Sequence, residues 1–486
     1  MLRSGKEYLD SIRDGRVIYI ADERIEDATR HPAFCAGAQT FAALYDMKRH
    51  PDNLAVTSYE EGGERFSTHY LRPRSREDLL RRTRAHEKIA DFGFGLLGRS
   101  PDAVAGSITG LSMKPEVFQA KGGFPDNVER IWQHMRRDDI FATYAVVPAQ
   151  GARNPAFYET ADRAPPTLRV TKEDDAGVTL SGMKMLATGA VFANEVLVGN
   201  ILPLAPDRRK EAITGVIPLN LPGMSLWARK SFAREVDHEF DYPITARFDE
   251  SDCVLLFKDV KVPWEKIIVH DSTELARAIY ITTPAHVIAN HQSTVRFRAK
   301  LRLLLGMASL ITRSTGARDI PAVREVLGKL AAWEAGYAAM VDAQAHVGEP
   351  IGNGYWSFNR RYLYAAIHWA MENHSAIIDQ LRDFMGGGTF QMPASVTVLR
   401  DPELKKMFEE YWSTPEQTAL ERLQLFKLAW DLIGSEMASR GTSYEKFFVG
   451  PAFSVRNYNF IAAPWDALHA EVETLMGTTA LPPDLA

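Results

Sequence analysis

The sequence predicts an α+β fold in three blocks. They are an N-terminal helical domain over residues 1–138, a middle β domain over 139–268, and a C-terminal helical bundle with its tail over 269–486. Three observations predict this plan. Before about Asp139 the apolar residues recur at helical spacing; from there to Trp264 the chain breaks into β-rich runs between turn residues; beyond it the stretches are long, periodic and poor in proline. The 486 residues, 45% hydrophobic and 24% charged, suffice for two or three domains with shared cores and are too apolar for a disordered chain.

In the first block, residues 36–48, 76–97 and 127–138 are predicted helices, with charges set between apolar positions. In the second, Leu168-Arg169-Val170-Thr171 and Val178-Thr179-Leu180 alternate as half-buried strands do. Val196-Leu197-Val198, residues 212–217 and residues 253–257 are continuous apolar runs of buried-strand length, and Asp207-Arg208-Arg209-Lys210 reads as a solvated turn. In the third, residues 269–315, 322–346, 358–384 and 415–440 supply the four helices of a bundle. The tail beyond Pro482 is expected to fray.

The formal net charge of −5 gives no basic surface for nucleic acid or an anionic membrane. No run of eighteen apolar residues occurs, and the N-terminus lacks the apolar stretch of a secretory signal, so a cytoplasmic protein is expected. Two cysteines, Cys35 and Cys253, exclude a disulfide framework, a Cys-rich zinc site and an all-cysteine iron–sulfur cluster.

Local motifs each carry two readings. Gly93-Phe94-Gly95-Leu96-Leu97-Gly98 fits G-x-G-x-x-G, but it follows a charged helix rather than a strand, which points to a helix end and close backbone approach instead of a dinucleotide. Gly386-Gly387-Gly388 reads as a helix C-cap or as a close approach to a ligand or neighbouring subunit. His286 and His291 are five apart, not the four of a helical zinc pair, so no metal is expected; His291 is either a satisfied core histidine or a catalytic one. In Gly98-Arg99-Ser100-Pro101-Asp102, Arg99 follows a helix end and suits an anion or a structural ion pair.

Several segments, in order, resemble the oxygenase family of 4-hydroxyphenylacetate 3-hydroxylase. They are Arg3-Ser4-Gly5-Lys6-Glu7-Tyr8-Leu9, the Arg99 motif, residues 252–265, Phe426-Lys427-Leu428-Ala429-Trp430-Asp431 and Tyr444-Glu445-Lys446-Phe447-Phe448. The resemblance implies an acyl-CoA-dehydrogenase-like fold with a barrel-like β domain and a four-helix bundle, assembled as a homotetramer. It implies reduced FAD (FADH2) received from a separate flavin reductase, with O2 as cosubstrate. A C4a-hydroperoxyflavin, kept dry, then hydroxylates a small phenolic or other electron-rich ring. Arg99 and His291 are implied as catalytic, Arg99 holding the phenolate and His291 drawing the phenolic proton. Gln150, Arg153, Thr188 and Arg456 match flavin-binding positions of the family, in Val147-Pro148-Ala149-Gln150-Gly151-Ala152-Arg153, Lys184-Met185-Leu186-Ala187-Thr188-Gly189 and residues 450–456.

The substrate positions depart from the family pattern. Ala103 stands where the phenylacetate enzymes carry a tyrosine, Tyr144 where they carry a histidine, and Ile201-Leu202 where they carry a Ser-Thr pair. A reshaped, less polar pocket follows, and a substrate other than 4-hydroxyphenylacetate is expected. Two other enzymes of the superfamily are alternatives. A dehydratase acting on 4-hydroxybutyryl-CoA would need cysteines near Arg99, Ala103 and Arg298, where none stands; an acyl-CoA dehydrogenase would need a carboxylate base over tightly held FAD. A non-enzymatic scaffold of the same fold is the third alternative.

Overall fold

Local signals start the first helix. Ser4 accepts from the Glu7 N–H and Glu7 reaches back to Ser4, a capping box that opens the helix Gly5–Ser11. Its fully buried Tyr8 stacks on Tyr45 and donates to the Phe192 carbonyl at 2.9 Å, which ties the N-terminus to the β layer. The computed structural model describes residues 2–159 and 165–478; the tail beyond Pro482 lies outside them.

Helices Cys35–Arg49, Arg76–Phe92 and Pro125–Arg137 occupy the stretches read as helical. The second stops short of residue 97. Phe94 and Gly95 turn to φ of 52° and 70°, and the Gly95 N–H returns to the Ala90 carbonyl at 2.8 Å. A Cβ on Gly95 would collide with the Arg296 carbonyl, so these glycines serve helix packing. Helix Pro101–Ser112 was not legible in the sequence, because it is buried on nearly every side and shows no amphipathic stripe.

The β layer also reaches back into the first block. Strands Ile18–Ile20 and Glu23–Ile25, too short for a pattern, join the middle sheet, the first running parallel to Met224–Ala228. That sheet has the order Glu23–Ile25, Ile18–Ile20, Met224–Ala228, Asp252–Pro263, Gly177–Thr188, Arg169–Asp174. A second sheet has the order Ile267–His270, Ile213–Pro218, Glu195–Val198, Ala142–Ala145. Val178, Leu180 and Leu255 of one share a core with Val196, Val198 and Ile217 of the other, and the Val147–Met185 bridge joins the sheets at one corner. The barrel-like domain is thus two sheets around one core.

The outer face of the second sheet matters most for function. Its alternate residues Ala142, Leu197 and Val216, with Tyr144 beside them, pack under helices Pro101–Ser112, Pro125–Arg137 and Thr273–Thr282. The bundle itself consists of Ala285–Ser314, Pro321–His346, Arg360–Met385 and Ala419–Ile433. The stretch from 269 to 315 divides at Thr283-Pro284, where proline cannot continue the preceding helix, and that from 415 to 440 divides at Gly434.

Candidate active site

Arg99 lies in the turn between helices Arg76–Phe92 and Pro101–Ser112, only 7% exposed. Its backbone N–H donates to Glu250 Oε1 at 2.6 Å. Its Nη2 donates to the Tyr144 hydroxyl and to the Phe448 carbonyl, the latter at 2.8 Å. The guanidinium also lies over two rings, 4.6 Å from the Tyr144 centroid and 5.6 Å from that of Tyr444. Among the described residues nothing accepts from its Nε or Nη1. A buried cation thus keeps donors in reserve for an anionic oxygen.

The turn that carries Arg99 is held from below. Asp102 accepts from the Ser100 hydroxyl and pairs with His86 Nδ1 at 2.7 Å, and Gln292 Nε2 reaches the Ser100 hydroxyl at 3.2 Å. Asp102 also sits in the first turn of its helix, where a negative charge is favoured. Arg229 and Arg440 bind Asp249, Glu250 and Asp252, which leaves one carboxylate charge to offset Arg99 through its backbone. The Arg99 side chain therefore faces no carboxylate of its own.

His291 is placed differently. It is fully buried on Ala285–Ser314, with Nε2 2.8 Å from Thr83 Oγ1 and Nδ1 2.7 Å from Gln344 Oε1. Its ring stacks on Phe358 at 3.6 Å. Burial pushes its pKa well below the ordinary histidine range, with His86 adding to the effect, so it stays neutral. Both nitrogens are committed to protein groups, and nothing joins the ring directly to Arg99. The next residue on the helix, Gln292, reaches the Arg99 turn at Ser100.

Of the expected substrate residues, Ala103 is buried one turn beyond Arg99 and Tyr144 touches Arg99 directly. Ile201 follows the strand Glu195–Val198 and its N–H reaches the Val146 carbonyl at 3.5 Å; Leu202 beside it is 38% exposed. The structure therefore gathers Arg99, Tyr144 and the 201–202 loop at one end of the four-stranded sheet.

Three of the four expected flavin positions, Gln150, Arg153 and Thr188, fall at the corner where the sheets meet, and Arg456 does not. Gln150 and Arg153 are exposed on the loop that follows Val147, whose carbonyl accepts from the Met185 N–H. Thr188, at the end of that strand, donates to Asp252 at 2.6 Å. Exposed Leu186 (φ 60°) and Phe157 flank these polar groups. Open apolar surface beside the exposed Gln150 and Arg153 side chains fits a planar, phosphate-bearing group such as FAD. Arg456 is exposed on the helix Ala452–Ala462, which packs against Arg360–Met385 in the bundle.

Sequence reasoning missed Tyr444 as a site residue. Guanidinium groups of Arg99, Arg296 and Arg440 lie 5.6, 5.3 and 5.0 Å from its ring. Its buried hydroxyl has no partner among the described residues, and burial pushes its pKa up to about 12. Only its place in a recognised segment pointed to it.

In this architecture a helix-start arginine meets the outer face of a β layer. Family models described as 4-hydroxyphenylacetate 3-hydroxylase N terminal and C terminal match residues 4–269 and 276–477. The chain belongs to the 4-hydroxyphenylacetate 3-hydroxylase family. It is 30% identical to the pyoverdin chromophore biosynthetic protein PvcC of Pseudomonas aeruginosa, covering 94% of this chain and 90% of that one. It is also 30% identical to the 4-hydroxyphenylacetate 3-monooxygenase oxygenase component of Thermus thermophilus, covering 93% and 92%. A crystal structure of an HpaB oxygenase component complexed with FAD and 4-hydroxyphenylacetate superposes with a TM-score of 0.91, at 28% identity and 98% coverage of both chains.

Proposed function

We propose that the chain is the oxygenase component of a two-component, reduced-flavin-dependent monooxygenase that hydroxylates a phenolic or other electron-rich ring. The observation that carries this reading is Arg99: a buried guanidinium, fixed on one side by Tyr144 and Phe448, with donors left for an anionic oxygen. A phenol bound there ionises more readily because a cation stands beside it, and the phenolate ring is the better nucleophile. Tyr144 orients the same oxygen in the place a histidine takes in the phenylacetate enzymes. His291, the base implied by the family resemblance, would take the phenolic proton only by giving up Thr83 or Gln344.

Gln150, Arg153, Thr188 and Arg456 would hold FAD. When bound as FADH2 from a separate reductase, it supplies, with O2, the electrophilic oxygen. The apolar surroundings of Ala103 and Ile201 keep water from the reacting ring. A homotetrameric, cytoplasmic enzyme completes the reading. The exposed apolar residues Leu468, Val472 and Leu475 on the last helix support the assembly. No described helix is long and apolar enough to cross a membrane.

Anaerobic mixing of the protein with reduced FAD, then with oxygenated buffer, tests the proposal. The expected result is flavin oxidation in phases distinct from those of free flavin, one of them shortened by certain phenols, with 18O from 18O2 in the product. Oxidation indistinguishable from free flavin, with no labelled product across a phenol panel, would refute it.

A further inference from the structure

Tyr444 also borders a cleft that the proposed reaction does not use. Lys300 of the helix Ala285–Ser314 and His374 of Arg360–Met385 line it, together with Arg440, Gly441, Tyr444 and Glu445 of the helix Glu436–Phe447. Neither Arg99 nor any of the expected flavin or substrate positions lines it. Lys300 and His374 are only 6% and 1% exposed, so the cleft reaches into the bundle. Gly441 is half-buried, and a Cβ on it would stand 3.8 Å from Lys300 Nζ. The ammonium therefore lies close to the mouth.

The cleft is rich in donors. The Tyr444 hydroxyl and both nitrogens of His374 are buried with no partner among the described residues. Burial pushes the His374 pKa down to about 3, with Lys300 adding to the effect, so the ring is neutral and offers one N–H. Lys300 Nζ carries three hydrogens, one of which goes to Glu445 Oε1 at 3.0 Å. The carboxylates are already engaged. Glu445 binds Arg296 through both oxygens, at 2.7 and 2.6 Å. Asp431, on the far wall, accepts from the Ile244 and Thr245 N–H groups and from the Thr245 hydroxyl. Arg296 and Lys300 thus share one carboxylate and keep a surplus positive charge, whereas Arg440 is matched by Glu250 and Asp252. Burial lowers the Lys300 pKa; Glu445 opposes this, and Arg296 and Arg440 add to it. A further negative charge beside Nζ would relieve that pressure.

We propose that this cleft binds a small monovalent anion, held by Lys300 Nζ, the Tyr444 hydroxyl and the His374 N–H. The surplus charge fixes the class: it is one unit, and a dianion would be buried with half its charge unmatched. The free groups fix the contacts: they are N–H and O–H donors, and charge-assisted bonds to one anion satisfy them together. A halide ion and a small carboxylate share this chemistry. The site is separate from the Arg99 site, although only one ring stands between the two sets of charges: the Arg99 and Arg440 guanidinium groups lie 5.6 and 5.0 Å from the Tyr444 centroid.

The anion site stands or falls independently of the monooxygenase reading, and its test needs neither flavin nor turnover. The NMR linewidth of chloride is followed as the full chain is added, with sodium bromide and sodium acetate as competitors. The wild-type chain is expected to broaden the chloride signal, and bromide should reverse the broadening. Acetate reversing it at lower concentration than bromide would support the site and identify a small carboxylate as the preferred ligand. Lys300→Met leaves Arg296 on Glu445 and should weaken chloride binding by about tenfold or more, the loss of a hydrogen bond to a charged group. Tyr444→Phe conserves shape, should weaken it severalfold, and guards against a misfolded Lys300→Met. Arg99→Met should leave the broadening in place. No broadening by the wild-type chain, broadening that survives both Lys300→Met and Tyr444→Phe, or broadening that Arg99→Met abolishes would overturn the proposal.

Discussion

Arg99, in an interhelical turn, and His291, on a bundle helix, are both buried polar groups, yet the structure leaves them in opposite states. The Arg99 side chain has two protein acceptors, the Tyr144 hydroxyl and the Phe448 carbonyl, and among the described residues none on Nε or Nη1. His291 has a partner on each nitrogen and a phenyl ring against its face. Burial alone therefore does not mark a reactive group. What separates the two is hydrogen-bonding capacity left over after the fold is satisfied. By the same measure the Lys48–Asp139 pair is closed: Lys48 Nζ lies 2.8 Å from both carboxylate oxygens, and Ser67 donates to the same group at 2.7 Å.

The largest effect should come from the open group. Arg99→Met is expected to lower kcat/KM for a phenolic substrate by on the order of 10²–10³-fold. Flavin oxidation without substrate should be unchanged, as followed by stopped-flow absorbance. A loss below tenfold would break the contrast by showing that Arg99 is structural.

Next comes the closed ion pair, whose effect should fall on stability. Asp139→Asn leaves Lys48 buried without its carboxylate and is expected to cost about 3–5 kcal/mol in urea unfolding near neutral pH. Burial opposes the Asp139 carboxylate, but Lys48, His69 and Ser67 outweigh it and hold its pKa at about 2. The folded value is below the unfolded one, so its stabilisation is complete above about pH 4 and fades as pH falls toward 2. The wild-type urea midpoint should drop through that window by more than the midpoint of the Asn variant.

A smaller effect is expected at His291. His291→Asn should cost about 1–3 kcal/mol of stability, because Thr83 and Gln344 each lose a buried partner. Activity at saturating substrate should stay within about tenfold. A far larger fall in kcat with unchanged stability would mean that the ring opens to the substrate in turnover. The smallest effect should be that of Tyr144→Phe, which removes one hydroxyl while Arg99 remains: KM should rise by about tenfold, consistent with one hydrogen bond to a charged group.

The three-block plan was legible because its elements carry their own periodicity. Pro125–Arg137 shows alternating faces since one side meets the core and the other meets water. Helix Pro101–Ser112 was invisible for the opposite reason: with neighbours on nearly all sides it has no polar face to reveal a period. The short strand Ile18–Ile20 forms only because Met224–Ala228 offers it an edge more than two hundred residues away.

The site divides the same way. Sequence by itself determined the family, the candidate role of Arg99 and the departures at Ala103, Tyr144 and Ile201-Leu202, because recognition at these positions depends on residue identity in order along the chain. Tertiary structure alone decided which polar groups remain open. It set Tyr144 and Phe448 on Arg99, placed Thr83 and Gln344 on His291, and brought Lys300, His374 and Tyr444 to one cleft. Each of these contacts joins distant segments, and hydrogen-bond saturation is a property of the space between them that no local pattern records.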